Sequence, residues 1–212
     1  MIYNFPRKKR IQITNYLTFS SPDPFSISVA TPGWDGKLYY STDTKMWAEW
    51  TGNEVNATEA DGTYALYFSG TGNTKIAGSY SNSWRLSGSS ISCTGNIESL
   101  LDYETVAAGQ HPALANSCYY SMFRGCTSLT TAPSLPATTL AGSCYDSMFY
   151  GCTSIKLAIS KSLEYDKEYR IPKSGNGVTA TRALNNMFTR TGGTFTGTPS
   201  INTTYYTSNT IV

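Results

Sequence analysis

The chain has 212 residues and a formal net charge of +2, and only 14 % of its residues are charged, against roughly 25 % in an average globular domain. Sixteen Tyr and many Ser, Thr, Gly and Asn take the place of charges, which points to a β-rich, turn-rich fold and excludes a nucleic-acid binder's composition. No stretch approaches the ~18 consecutive apolar residues of a membrane span, so none is expected.

Residues 1–24 read as a basic N-terminal arm. Arg7, Lys8, Lys9 and Arg10 bring four positive charges with no acid nearby, a docking patch for an acidic partner surface or a solvated arm. Ile11-Gln-Ile-Thr-Asn-Tyr16 follows them where a secretory signal would have its apolar region, so no export signal is read. Pro6 and then Ser21-Pro-Asp-Pro24 disfavour helix.

Residues 25–94 are predicted to form a β-sandwich domain. Phe25-Ser-Ile-Ser-Val29 alternates with period two, and further β-favouring runs begin at Lys37, Lys45, Thr63, Lys75, Ser83 and Ser90. Turn pairs such as Asp35-Gly36, Gly52-Asn53 and Asp61-Gly62 separate them. All four tryptophans (Trp34, Trp47, Trp50, Trp84) fall here, and two or three of them are expected to fill the core. The alternative is that one stays exposed as a sugar-stacking platform.

Residues 95–212 open on a helical period, Gly95-Asn-Ile-Glu-Ser-Leu-Leu101, and a loop over 102–113. An internal repeat then dominates. Leu114-Ala-Asn-Ser-Cys-Tyr-Tyr-Ser-Met-Phe-Arg-Gly-Cys-Thr-Ser-Leu129 returns 26 residues later as Leu140-Ala-Gly-Ser-Cys-Tyr-Asp-Ser-Met-Phe-Tyr-Gly-Cys-Thr-Ser-Ile155, with twelve of sixteen positions identical. Such a period marks a solenoid, in which each repeat buries its apolar face against its neighbours. Leu114, Cys118 and Met122 recur at every fourth residue, so short helical turns are expected over 118–124 and in the second copy, with Gly125 as a left-handed terminator. A worn third copy, Ala183-Leu-Asn-Asn-Met-Phe188, follows a charged insertion over 156–178, and the tail reads as short capping strands.

Between 114 and 155 the only charged residues are Arg124 and Asp146, both where the copies differ. Tyr120 with Arg124, and Asp146 with Tyr150, are spaced i, i+4 and are therefore the candidate ligand-contact residues on an outward strip, or else neutral solubilising positions.

Met122-Phe-Arg-Gly-Cys-Thr-Ser-Leu129, followed by Ala132-Pro-Ser-Leu-Pro-Ala-Thr-Thr-Leu140 and Cys144-Tyr145, resembles the BspA-like, Treponema-type leucine-rich repeat. The resemblance implies a mainly β fold with short helices, an N-terminal β-sandwich followed by a short leucine-rich-repeat solenoid. It also implies the company such repeats keep, bacterial surface adhesins and structural proteins of gut bacteriophages. Few repeats and the insertion depart from the family's long concave surface.

No catalytic, cofactor or metal site is expected. His111 is the only histidine, and the cysteines at 118, 126, 144 and 152 lack a Cys-x-x-Cys knuckle. Buried thiols lead the readings of the five cysteines, ahead of disulfides and metal. The expectation for function is a phage virion surface protein (head fibre, capsid decoration or tail-associated adhesin) that displays its repeats to a host glycan or protein. Its N-terminal arm would contact other virion proteins, and homo-oligomers fit that role. The alternatives are a bacterial cell-surface adhesin and a carbohydrate-binding module.

Overall fold

The computed structural model describes residues 12–208, where strands dominate and helices are few and short. Apolar and polar side chains alternate along Leu17-Thr-Phe-Ser-Ser21, and this makes strand β1 (Leu17–Ser21) with Leu17 and Phe19 fully buried. The expectation of an arm through residue 24 is corrected here. The segment from Leu17 pairs antiparallel with two partners, and the Ser21-Pro-Asp-Pro24 break ends a strand instead of an arm. The four basic residues at 7–10 lie outside the described residues.

Eight strands follow before the repeats: β2 (Ser26–Val29), β3 (Lys37–Ser41), β4 (Ala48–Trp50), β5 (Val55–Asn56), β6 (Thr58–Ala60), β7 (Thr63–Thr71), β8 (Trp84–Ser87) and β9 (Ser92–Thr94). One antiparallel sheet has the order β4-β3-β7-β1-β9, with β6 also paired to β7, and a three-stranded sheet has the order β5-β2-β8. Asp61 and Gly62 both take positive φ (51° and 78°) in the two-residue β6–β7 hairpin, the backbone that an Asp-Gly turn favours. Trp84 of β8 joins the sheets through Phe19, Phe68 and Trp50, at centroid distances of 6.0, 5.1 and 4.9 Å.

A 3-10 turn over Ile97–Leu100 is capped by Asn96, whose side chain accepts the Glu98 N–H. The loop expected over 102–113 contains a short helix, α1 (Tyr103–Ala107). Asp102 supplies its cap by accepting the N–H groups of Glu104 and Thr105.

The repeats are not helical. Every fourth residue is left-handed: Ser117, Ser121 and Gly125 in the first copy (φ 58°, 55° and 75°), and Ser143, Ser147 and Gly151 in the second (53°, 56° and 76°). A left-handed residue at that interval interrupts the i→i−4 ladder, so the four-residue apolar spacing comes from a turn cycle. Tyr120, Met122 and Arg124 donate their N–H three residues back. The alternate residues reach the next copy instead: Ser117, Tyr119, Ser121, Phe123 and Gly125 donate to the carbonyls of Gly142, Cys144, Asp146, Met148 and Tyr150 at 2.8–3.0 Å. The second copy repeats this toward Thr181, Ala183, Asn185, Met187 and Thr189, which places the third copy in register despite the insertion.

Identical side chains therefore stack. Phe123 lies 5.6 Å from Phe149, and Phe149 5.4 Å from Phe188, with rings within 12° of parallel, and Tyr119 stacks on Tyr145 at 5.5 Å. All five are buried, each contributing about 1.5–3 kcal/mol by leaving water. The N-terminal sheets meet this stack directly. Trp84 and Phe19 both pack on Phe123 at 6.0 Å, and Trp84 N–H donates to the Met122 carbonyl. The boundary expected after residue 94 thus falls inside one continuous core.

The insertion builds the far end. Strands β10 (Lys156–Ala158) and β11 (Tyr165–Ile171) come from it. With β12 (Gly192–Gly193) and β13 (Thr203–Ser208) they form a sheet of order β11-β13-β10-β12.

Candidate functional site

The four candidate contact residues do not form one strip. Tyr120 and Asp146 share one position of the turn cycle, and Arg124 and Tyr150 share another. The stacking of copies, not an i, i+4 helix, decides who meets whom. Arg124 has its guanidinium carbon 4.2 Å from the Tyr150 ring centroid and 4.5 Å from that of Tyr80, so it is held between two aromatic faces. Arg190 of the third copy continues the row over Tyr150 at 5.5 Å. Tyr80, more than half exposed, also packs on Tyr120 at 5.2 Å. Burial and then the neighbouring Tyr80 phenol push the Tyr120 hydroxyl up to about 12. The result is a row of Tyr80, Arg124, Tyr150 and Arg190, from a turn outside the repeats and from each of the three copies, with Tyr120 beside it.

Such a row is held cheaply and still offers contacts. Each exposed cation–π pair contributes about 0.5–1 kcal/mol. A stacked guanidinium keeps its N–H edge free for a carboxylate, sulfate or phosphate, while Tyr faces suit sugar rings or apolar groups.

Asp146 is corrected outright, because it is 1 % exposed and faces inward. Its Oδ2 accepts from Arg182 Nη2 and Nε (3.0 and 3.2 Å) and from Asn185 Nδ2 (3.3 Å), while Ser147 Oγ donates to Oδ1 at 2.8 Å. A buried carboxylate is tolerated where donors saturate it, and here all but Ser147 come from the third copy, whose drifted sequence hid them. Tyr80, Arg190 and Arg182 were missed. Arg190 could have been found by aligning the third copy's Met-Phe, since it sits where the other copies have Gly125 and Gly151. Nothing in the sequence marks Tyr80, which lies in a 3-10 turn outside the repeats.

The tryptophans are largely spent on the core. Trp50 and Trp84 are buried, Trp34 stacks on Trp50 at 5.3 Å, and Trp47 packs against Tyr16 at 5.7 Å. All five cysteines are free and buried. Cys126 Sγ donates to the Trp84 carbonyl and Cys152 Sγ to that of Phe123, so each thiol links to the preceding layer. Among the described residues no group of three or more His, Cys, Asp or Glu side chains is placed to hold a metal ion. No helix among them is long and apolar enough to cross a membrane. His111 meets Glu98, with Nδ1 2.8 Å from Oε2. Comparison with protein-family models, curated proteins and solved structures gives no match to this chain.

Proposed function

We propose that the chain is a non-enzymatic virion surface protein of a bacteriophage: a head fibre, capsid decoration or tail-associated adhesin. In this reading an N-terminal β-sandwich leads into a short leucine-rich-repeat solenoid, and the solenoid displays the Tyr80–Arg124–Tyr150–Arg190 row to a host surface glycan or protein. The row is the observation that carries the proposal. Positions identical between the copies build the buried stack, whereas Arg124 and Tyr150, where the copies differ, are only half-buried and in mutual contact. A scaffold that holds its own layers constant and varies an outer row is arranged for recognition. Resemblance of the repeat to those of phage structural proteins and surface adhesins supports the virion setting, and the basic residues 7–10 would contact other virion proteins.

Two measurements test this. The chain should copurify with intact particles through a density gradient. Particles or purified protein should also bind host cells or an acidic-glycan array in a manner lost in Arg124→Ala/Tyr150→Ala. Recovery of the native chain only from bacterial envelope fractions would move it to a cell-surface adhesin. Binding unchanged in the double variant would remove the row from the proposal.

A further inference from the structure

A second site lies away from the row, where the loop after α1 meets the crossover into the second repeat. A cleft of about 370 Å³ is lined there by Glu98, His111, residues 112–114 and residues 137–141. That volume lies near the lower end for small-molecule sites. The Glu98 side chain is fully buried, yet only one of its oxygens is used: Oε2 meets His111 Nδ1 at 2.8 Å, and Oε1 has no partner. The Tyr145 hydroxyl, which does not line the cleft but is buried close enough to sense the Glu98 charge, has no partner either. His111 is itself 46 % exposed at the cleft, so the imidazole stands between the carboxylate and solvent.

Two orphaned buried polar atoms cost stability, which a core under selection for stability alone would shed. Their chemistry states what would satisfy them. The side chains lining the cleft include one carboxylate, one imidazole and the hydroxyls of Thr138 and Thr139, with no Lys or Arg among them. Pro112, Leu114 and Leu140, with alanines at 113, 137 and 141, supply short apolar walls. A ligand matching this set brings a compact positive charge with several N–H donors on a short aliphatic chain.

We propose that this cleft binds a small aliphatic primary ammonium ion, with Glu98 as its counter-ion and His111 as the group that orients the carboxylate and covers the entrance. The ammonium donates to Glu98 and the threonine hydroxyls while its chain lies on the alanine, leucine and proline walls. A hydrogen bond between an ammonium and a desolvated carboxylate is charge-assisted and stronger than one between neutral groups, so charge, not the alkyl chain, sets selectivity.

The test uses n-butylammonium, with n-butanol and n-butyrate as matched probes, followed by NMR of the full chain. Butylammonium is expected to give saturable shifts at Leu114, Ala137, Leu140, Ala141 and His111, with butanol at least tenfold weaker and butyrate silent. Glu98→Gln, isosteric but uncharged, should abolish saturation while leaving the rest of the spectrum in place. Should that variant fail to fold, Ala113→Phe keeps Glu98 and fills the cleft mouth, and it must remove binding too. Equal binding of butanol and butylammonium, non-saturating shifts, or retained binding in Ala113→Phe each overturn the proposal.

Discussion

Glu98 carries a carboxyl group out of water with half of its hydrogen-bonding capacity unused, and its protonation must therefore report on folding. Burial raises its pKa above the ordinary 4.5, outweighing His111 and Asn96, which act in the opposite direction. Tyr119 and Tyr145 are its buried neighbours, and burial raises both phenols further out of the accessible range. A group whose folded pKa is raised contributes its full stability below the unfolded value and loses it as pH rises through the folded value. Glu98→Gln should accordingly be more stable than the parent near pH 7, and the gain should vanish as pH falls toward about 4, where both forms are neutral. Urea melts of the two proteins across that range check it, and a difference independent of pH would place the effect elsewhere. The cysteines make a second residue-scale case. Burial pushes Cys126 and Cys144 up to about 12 and raises Cys93, Cys118 and Cys152 as well, so no reactive thiolate is present at neutral pH. A thiol reagent should find almost nothing in the folded protein and five equivalents after denaturation without reductant. Fewer than five would mean that a disulfide exists.

At the scale of the repeat element, a four-residue turn cycle replaces the helix that the spacing suggests, and the two share nearly the same apolar period. Leu114, Cys118 and Met122 were legible as one side of something, and Gly125 as a left-handed residue. Ser117 and Ser121 were not, because serine is no signature of positive φ and only the stacked layers force it there. The charged Asp146 failed for a related reason: aligning Met187-Phe188 with Met148-Phe149 sets Asn185 opposite Asp146, but only the stacking of the copies brings Asn185 and Arg182 onto its carboxylate. Strands were easier, since Ser26–Val29, Lys37–Ser41 and the Asp61-Gly62 hairpin follow alternation and turn chemistry directly. The turn cycle also predicts a stabilising change. Ser121 is left-handed at φ 55°, and its hydroxyl is buried with no partner. Ser121→Gly removes the steric cost of about 1–2 kcal/mol and the stranded hydroxyl, against roughly 0.5–1 kcal/mol of added chain entropy in the unfolded state. Stability should rise by about 1 kcal/mol at an unchanged denaturant slope, and Ser121→Val should lower it. A fall with Gly would mean that the hydroxyl has a partner in the folded protein.

Across the whole molecule, the layers from Trp84 to Phe188 form one run of aromatic contacts, and nothing separates the N-terminal sheets from the repeats. Trp84 packs on Phe123, Phe123 on Phe149 and Phe149 on Phe188, while backbone bonds run from Ile76, Trp84 and Ile91 into the first copy. Stacked repeats propagate stability through nearest-neighbour interfaces, so a defect in one layer is felt as far as the coupling stays strong. All four tryptophans lie between residues 34 and 84, which makes their fluorescence a reporter of the N-terminal sheets and of the first repeat layer, which Trp84 touches, and not of the layers beyond it. Phe149→Ala opens a cavity one layer beyond the one Trp84 touches and should cost about 3–5 kcal/mol. If the core is one cooperative unit, tryptophan fluorescence and circular dichroism must shift to lower denaturant together and by the same amount, although no tryptophan has Phe149 among its aromatic partners. A fluorescence transition that stays in place while the dichroism shifts would show that sheets and repeats unfold separately. The shared contacts at Phe123 would then be a docking interface between two autonomous units.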